Sequence, residues 1–264
     1  EDMERLLKEA GKRNIKVLLD LVVNHCSDEH PWFQKAVANP DCEEAGYFYF
    51  KTTENGQLPN NWRSNFGGSV WSRLPDQRWY YHTFSSKQPD LNWENPKLRE
   101  KIYDMINWWL DKGVAGFRID PITFIKKDLT FTSRETEDGH LYPIENLTDY
   151  PGINTFLSEL KRKTFSRYDC MTVAEAPGVE RETFRSYAGK NGFFSMIFDF
   201  NWDNMDGESD KSDTAAVDRW KNKIFQSQKF TCANGWCGIF LENHDQSRCA
   251  NKFLNKECRN NSSI

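Results

Sequence analysis

Three carboxylates in this sequence follow short apolar runs. Asp120 follows Gly116-Phe117-Arg118-Ile119, Glu175 follows Met171-Thr172-Val173-Ala174, and Asp245 ends Glu242-Asn243-His244-Asp245 after Cys237-Gly238-Ile239-Phe240-Leu241. An apolar run closed by a polar residue reads as a buried strand running out to a polar mouth. Alternate strand residues share a face, so Arg118 and Asp120 lie together. The guanidinium is expected to lower the Asp120 pKa and keep it ionised. An ionised, positioned carboxylate beside a second carboxylic acid, about 5–5.5 Å away, suits displacement at a sugar's anomeric carbon with retention. Asp120 would then attack. Glu175, with no cation adjacent in sequence, would donate the proton. Asp245 would support the positive charge that develops. A structural ion pair closing a sheet would use Arg118 and Asp120 equally well, and these residues alone leave both readings open.

The rest of the chain must hold these groups in place. Residues 2–13 read as a helix, with Asp2 as its cap and Leu6, Leu7 and Ala10 on one face. Ile15–Val23 reads as a buried parallel strand ending in Asn24-His25. Asn95-Pro96 opens a helix that Gly113 ends. Residues 121–150 read as a long polar excursion. Pro151 opens a helix to about Arg167, Val179–Ala188 forms another, Phe193–Phe200 a strand, and residues 213–228 a helix with Ala216, Trp220, Ile224 and Phe225 on one side. Five strand–helix units without hairpin signals mean a parallel sheet. No glycine-rich phosphate loop supports a doubly wound sheet. Polar clusters at the ends of four strands favour a barrel, whose chemistry gathers at one rim. The expected fold is therefore α/β, a partial TIM (β/α)8 barrel of about five of eight units. Residues 26–92 break the rhythm and read as an inserted, irregular β-rich subdomain, because a structureless loop of that length is improbable. The expected organisation is 1–25, a barrel helix and strand; 26–92, the insertion; and 93–264, the remaining barrel units.

Composition narrows the function. A chain of 264 residues with net charge -4 lacks the basic footprint of a nucleic-acid binder. Five scattered histidines do not supply a metal hydrolase's ligand cluster. Seven cysteines, an odd number without a Cys-x-x-Cys pair, fit reduced thiols in a cytoplasmic protein. No apolar run is long enough to span a membrane. The glycosylation patterns at Asn146 and Asn260 are the kind that arise by chance.

Several motifs, in order, resemble the α-amylase family, glycoside hydrolase family 13, and most closely its oligo-1,6-glucosidase/α-glucosidase branch. Asp20-Leu21-Val22-Val23-Asn24-His25 resembles the family's first conserved region, and Gly116-Phe117-Arg118-Ile119-Asp120 the second, whose Asp is the nucleophile. Val173-Ala174-Glu175 resembles the third, whose Glu is the acid/base, and Asn243-His244-Asp245 the fourth, whose Asp stabilises the transition state. Gln88-Pro89-Asp90-Leu91-Asn92 and the stretch from Pro59 to Trp71 resemble features of that branch. The resemblance implies a retaining glycosidase, a monomer acting on short oligosaccharides. Asp120, Glu175 and Asp245 are its expected catalytic residues, and Asp20, His25, Arg118, His244 and Arg248 its expected substrate-binding residues. It covers barrel strands three to seven. Strands one, two and eight and the C-terminal β-domain have no counterpart, so the chain is expected to be part of a larger enzyme and unstable and inactive by itself. No cofactor is expected in this stretch. The first-strand loop, where this branch often holds calcium, belongs to the full-length enzyme.

In this branch the residue after the nucleophile tracks linkage, with Val accompanying α-1,6 cleavage. Pro121 leaves α-1,6 against α-1,4 open, and keeps trehalose-6-phosphate hydrolases and sucrose-acting or glucosyl-transferring relatives in view. Lys126-Lys127 reads as a solvated basic pair, with attraction of a phosphate as the other reading. A non-catalytic relative, such as the barrel of a transporter heavy chain, would lack the carboxylates.

Overall fold

A computed structural model describes residues 1–137, 140–200, 214–245 and 248. The chain divides into two compact units, Glu1–Gly178 and Val179–Ile264. In chain order the first holds α1 (Asp2–Gly11), β1 (Leu19–Leu21), α2 (Pro31–Ala38), β2 (Phe50–Lys51), β3 (Trp62–Arg63), β4 (Trp71–Arg73), β5 (Trp79–Tyr81), α3 (Pro96–Asp111), β6 (Gly116–Ile119), β7 (Tyr142–Pro143), α4 (Ile153–Lys163) and β8 (Met171–Ala174). The second holds α5 (Arg181–Ala188), β9 (Met196–Phe198), α6 (Thr214–Asn234) and β10 (Cys237–Gly238).

In the first unit β6 lies between β1 and β8, parallel to both. The second unit pairs β9 with β10, also in parallel. The sheet is parallel, as expected, and in neither unit does it close into a barrel among the described residues. The stretch 15–23 is less buried than its composition implies. Only Leu21 and Val23 of that run are enclosed, whereas Ile15, Leu18 and Val22 are exposed. Successive side chains of a strand point to opposite faces, and here positions 21 and 23 lie on the covered face while 18, 20 and 22 lie on the open one. Asp2 lies inside the first turn of α1, whose N-cap is Glu1.

Helix α3 is set by its ends. The Asn95 side-chain oxygen accepts the Lys97 N–H at 3.0 Å, Pro96 opens the first turn, and Gly113 adopts φ +94° after the last. Leu98, Ile102, Tyr103, Ile106 and Leu110 form its buried face, and the strand that follows is β6. Asn95 also donates to the Gly46 carbonyl at 3.0 Å. Asn95→Ala removes the cap and this tie, so it should cost about 1–2 kcal/mol. Urea unfolding of the full-length protein checks this, and an unchanged midpoint would show that the cap is dispensable.

Residues 26–92 carry an antiparallel sheet in the order β2-β5-β4. Its aromatic side chains do not pack alone. Tyr49, Trp62, Val70, Trp71, Tyr81 and Phe84 form one core with Phe124, Phe131 and Ile144 from the stretch after β6. The expected polar excursion at 121–150 is therefore anchored by apolar residues. Ile122 and Ile125 are also buried, and β7 pairs in parallel with β3. These apolar residues follow neither the helical nor the strand period, which is why the stretch reads as loop.

In the second unit, α6 begins with the described residues at Thr214 and runs to Asn234, past the expected end at 228. Phe225 is exposed rather than on its packed side. Among the cysteines, Cys26, Cys42, Cys170, Cys232 and Cys237 are free thiols. Cys249, Cys258, Asn260 and residue 213 lie outside the described residues. No described helix is long and apolar enough to cross a membrane.

Candidate active site

Strand register places the two central carboxylates. Ile119 pairs with Ala174 as the last pair of β6 and β8, and Asp120 and Glu175 are the residues that follow. The Asp120 N–H donates to the Leu21 carbonyl at 3.0 Å, and the Glu175 N–H to the Ile119 carbonyl at 2.8 Å. Asp120 and Glu175 thus stand at the same level on neighbouring parallel strands, at their carboxyl ends. Chemistry in parallel α/β folds collects at that end.

One guanidinium joins them. Arg118 Nη1 donates to Asp120 Oδ1 at 2.8 Å, and Nη2 is ion-paired with Glu175 Oε1. Nη1 also reaches Asp20 Oδ1 at 2.7 Å and Oδ2 at 3.0 Å, across the Asp20–Arg118 register pair. Asp20, whose side chain is 57% exposed, braces the guanidinium from outside, while those of Asp120 and Glu175 are 16% and 7% exposed. A planar fork holds carboxylates in fixed directions, which a lysine could not do. Glu175, without a cation beside it in sequence, has one in space.

His25 completes the cluster. Its Nε2 lies 3.9 Å from Asp120 Oδ2, and its ring packs edge-on against Phe84 at 5.3 Å. The segment after β5 holds it there. The Leu91 N–H donates to the Asn24 carbonyl at 2.8 Å, and His25 and Asp90 form an antiparallel bridge. Burial lowers the His25 pKa, against the pull of Asp90 and Asp120. Asp120 differs from expectation. Burial raises its pKa, with Glu175 adding to the rise, and this outweighs the lowering that a protonated His25 and Arg118 exert. Sequence proximity to Arg118 does not reveal how much water the carboxylate loses.

The structure brings together Asp20, His25, Arg118, Asp120 and Glu175. The other three expected residues belong to the second unit. There His244 Nε2 lies 3.1 Å from Asp245 Oδ2, both side chains substantially exposed, and Arg248 Nη1 pairs with Glu242.

Lys126 and Lys127 correct the sequence reading. Neither is a solvated cation. Lys126 Nζ meets Glu94 Oε1 at 2.5 Å. Lys127 is buried, with Nζ 2.5 Å from Asp90 Oδ2 and 2.8 Å from Asn24 Oδ1. Asn24, Gln88, Asp90 and Lys127 were not among the expected site residues. The Asn24-His25 ending and the Gln88–Asn92 motif carried a signal for three of them. For Lys127 there was none, since adjacent lysines read as surface. No three His, Cys, Asp or Glu side chains among the described residues could hold a metal ion.

A sequence profile described as "Alpha amylase, catalytic domain" matches residues 1–263. The chain belongs to this family. It is 44% identical over 262 residues to the "Probable oligo-1,6-glucosidase 3" of Bacillus subtilis, covering 94% of this chain and 45% of that protein. The crystal structure of trehalose-6-phosphate hydrolase from Bacillus licheniformis superposes with a TM-score of 0.82 at 36% identity, covering 95% of this chain and 46% of that one. Isomaltulose synthase from Erwinia rhapontici NX5 gives 0.83 at 31%, covering 94% and 45%. The chain thus spans about half the length of the relatives it matches.

Proposed function

We propose that the full-length protein is a retaining glycoside hydrolase that releases glucose from short α-glucosides, α-1,6 or α-1,4 linked. The observation that carries this reading is the placement of Asp120 and Glu175 on adjacent parallel strands, joined by the Arg118 guanidinium. Carboxylates on one fork favour the short spacing of a retaining pair, about 5–5.5 Å, over the ~6.5–9.5 Å of an inverting pair. Glu175 protonates the glycosidic oxygen while an Asp120 oxygen attacks the anomeric carbon. The bond to the leaving sugar breaks, and a glucosyl ester forms on Asp120. Water then attacks the anomeric carbon, Glu175 takes its proton, the bond to the Asp120 oxygen breaks to restore the carboxylate, and glucose leaves. Asp245 supports oxocarbenium charge, and His25, His244 and Arg248 contact the sugar. In this reading the chain supplies about five of the eight units of a TIM barrel, the inserted segment is 26–92, the enzyme is a monomer, and the free thiols favour a cytoplasmic location.

A second reading, hydrolysis of trehalose 6-phosphate or glucosyl transfer from sucrose, is favoured by the likeness to the two solved structures. Against a phosphate role, both ammonium groups of Lys126-Lys127 are already paired.

Glucose release by the full-length protein from isomaltose, maltose, sucrose and trehalose 6-phosphate separates these readings. Glu175→Gln should lower kcat/KM on the active sugar by ~10²–10⁴-fold. The loss should be smaller for an aryl glucoside, whose leaving group needs no proton. Equal losses on both substrates would remove Glu175 from the acid role.

A further inference from the structure

Lys127 is an unusual neighbour for a reactive centre. Its ammonium is enclosed by oxygens: Asp90 Oδ2 at 2.5 Å, Asn24 Oδ1 at 2.8 Å, Thr83 Oγ1 at 3.4 Å and the Phe124 carbonyl. Asp90 is fully buried and is itself fixed by the Thr83 N–H at 2.8 Å. Neither charge faces solvent, and the two are paired with each other. What Lys127 does control is an amide.

The two ends of an asparagine side chain look alike, and only their partners tell them apart. An ammonium has donors and no acceptor, so the Asn24 atom facing it must be oxygen. The Asn24 NH2 group is then left facing His25 Nδ1, at 3.4 Å. On the other side of the ring the same logic applies. Gln88 Oε1 accepts the Ser85 N–H at 3.1 Å, which turns the Gln88 NH2 group onto His25 Nε2 at 3.0 Å. His25 is therefore flanked by two donors. A neutral imidazole accepts from one of them, whereas an imidazolium, with a proton on each nitrogen, accepts from neither. Asp120 Oδ2, at 3.9 Å, is beyond hydrogen-bonding distance.

We propose that Lys127 is a positioning residue: by fixing the Asn24 amide it keeps His25 neutral beside Asp120. A neutral ring leaves Arg118 as the cation paired with the Asp120 carboxylate, and does not tie up the oxygen that would react. The charged groups acting on His25 are Asp90, Asp120 and Lys127, with Arg118 behind Asp120. The significance of the proposal rests on Asp120 being the reacting carboxylate. Its readout is a ring titration, which stands or falls without any turnover.

The test uses the full-length protein with ¹⁵N- and ¹³C-labelled histidine, and assigns His25 by its loss in His25→Gln. In the wild type, the ring nitrogens should report a neutral His25 that gains its second proton only below the ordinary midpoint of ~6.5. A midpoint at or above that value overturns the proposal without any further variant. Lys127→Met combined with Asp90→Asn removes both buried charges together and leaves neither unpaired. Asn24 can then turn its oxygen onto the ring, and the His25 midpoint should rise by about one pH unit. Charge effects alone predict the opposite sign, because Asp90 acts on His25 more strongly than Lys127 does and its loss lowers the midpoint. An unchanged or lower midpoint in the double variant therefore also overturns the proposal.

Discussion

Replacing Asp120 by asparagine in the full-length protein is expected to lower kcat/KM for glucoside cleavage by about 10⁴-fold or more, since the attacking anion itself is lost. The amide keeps the carboxylate's shape, and its oxygen can still accept from Arg118 Nη1, now 2.8 Å from Asp120 Oδ1. Folding should be little changed, and a urea midpoint close to wild type would confirm that chemistry rather than structure was lost. Retention of activity within tenfold would rule Asp120 out as nucleophile. The wild-type pH profile carries a linked expectation. Burial raises the Asp120 pKa, and only the ionised form attacks. As pH falls, that form is lost sooner than for an exposed aspartate, so the acid limb of kcat/KM should begin at a higher pH than an exposed aspartate would give. The sign follows from the shift: a raised pKa moves the loss to higher pH.

Gly116→Ala should be the most damaging single change to stability, at about 3 kcal/mol or more. Gly116 adopts φ +145°, where an L side chain is strained. A Cβ at this position would lie 1.8 Å from the Met171 carbonyl oxygen and 2.7 Å from its carbon. Both are backbone atoms of β8 and cannot swing aside as a side-chain tip could. The β6–β8 pair must part or shift, and that pair carries Asp120 and Glu175 at its ends. Stability and catalysis should therefore fall together. Denaturant unfolding and kcat/KM on the same preparation check this. A variant within about 0.5 kcal/mol of wild type would show that the two strands can separate freely there.

What the sequence reveals depends on how local the cause is. The capped helix α3 was legible because Asn95, Pro96 and Gly113 each act on their own backbone. The levelling of Asp120 with Glu175 was legible because each polar residue directly follows an apolar strand, and strand ends align in a parallel sheet. Burial was not legible. It reversed the expected shift at Asp120, and it turned Lys127 from a surface charge into an enclosed one, held by Asp90, which lies 37 positions earlier in the chain. Glu175 shows the same limit, since its cation comes from another strand. The 121–150 stretch hid its apolar anchors because they follow no period, so only tertiary packing reveals their partners.

The shared wall between the insertion and the stretch after β6 has a kinetic consequence. Asn60 Nδ2 donates to the Phe131 carbonyl, Asn61 Nδ2 to the Arg134 carbonyl and Trp62 Nε1 to the Thr132 carbonyl, across sequence separations of 71, 73 and 70 residues. Such bonds form only after a long loop has closed, and chains rich in them fold slowly. Helix α3 lies inside that loop and is built from near neighbours, so it can form before the aromatic wall closes. The stretch that follows Asp120 is stitched to the insertion by these three bonds, so it is no independently swinging flap.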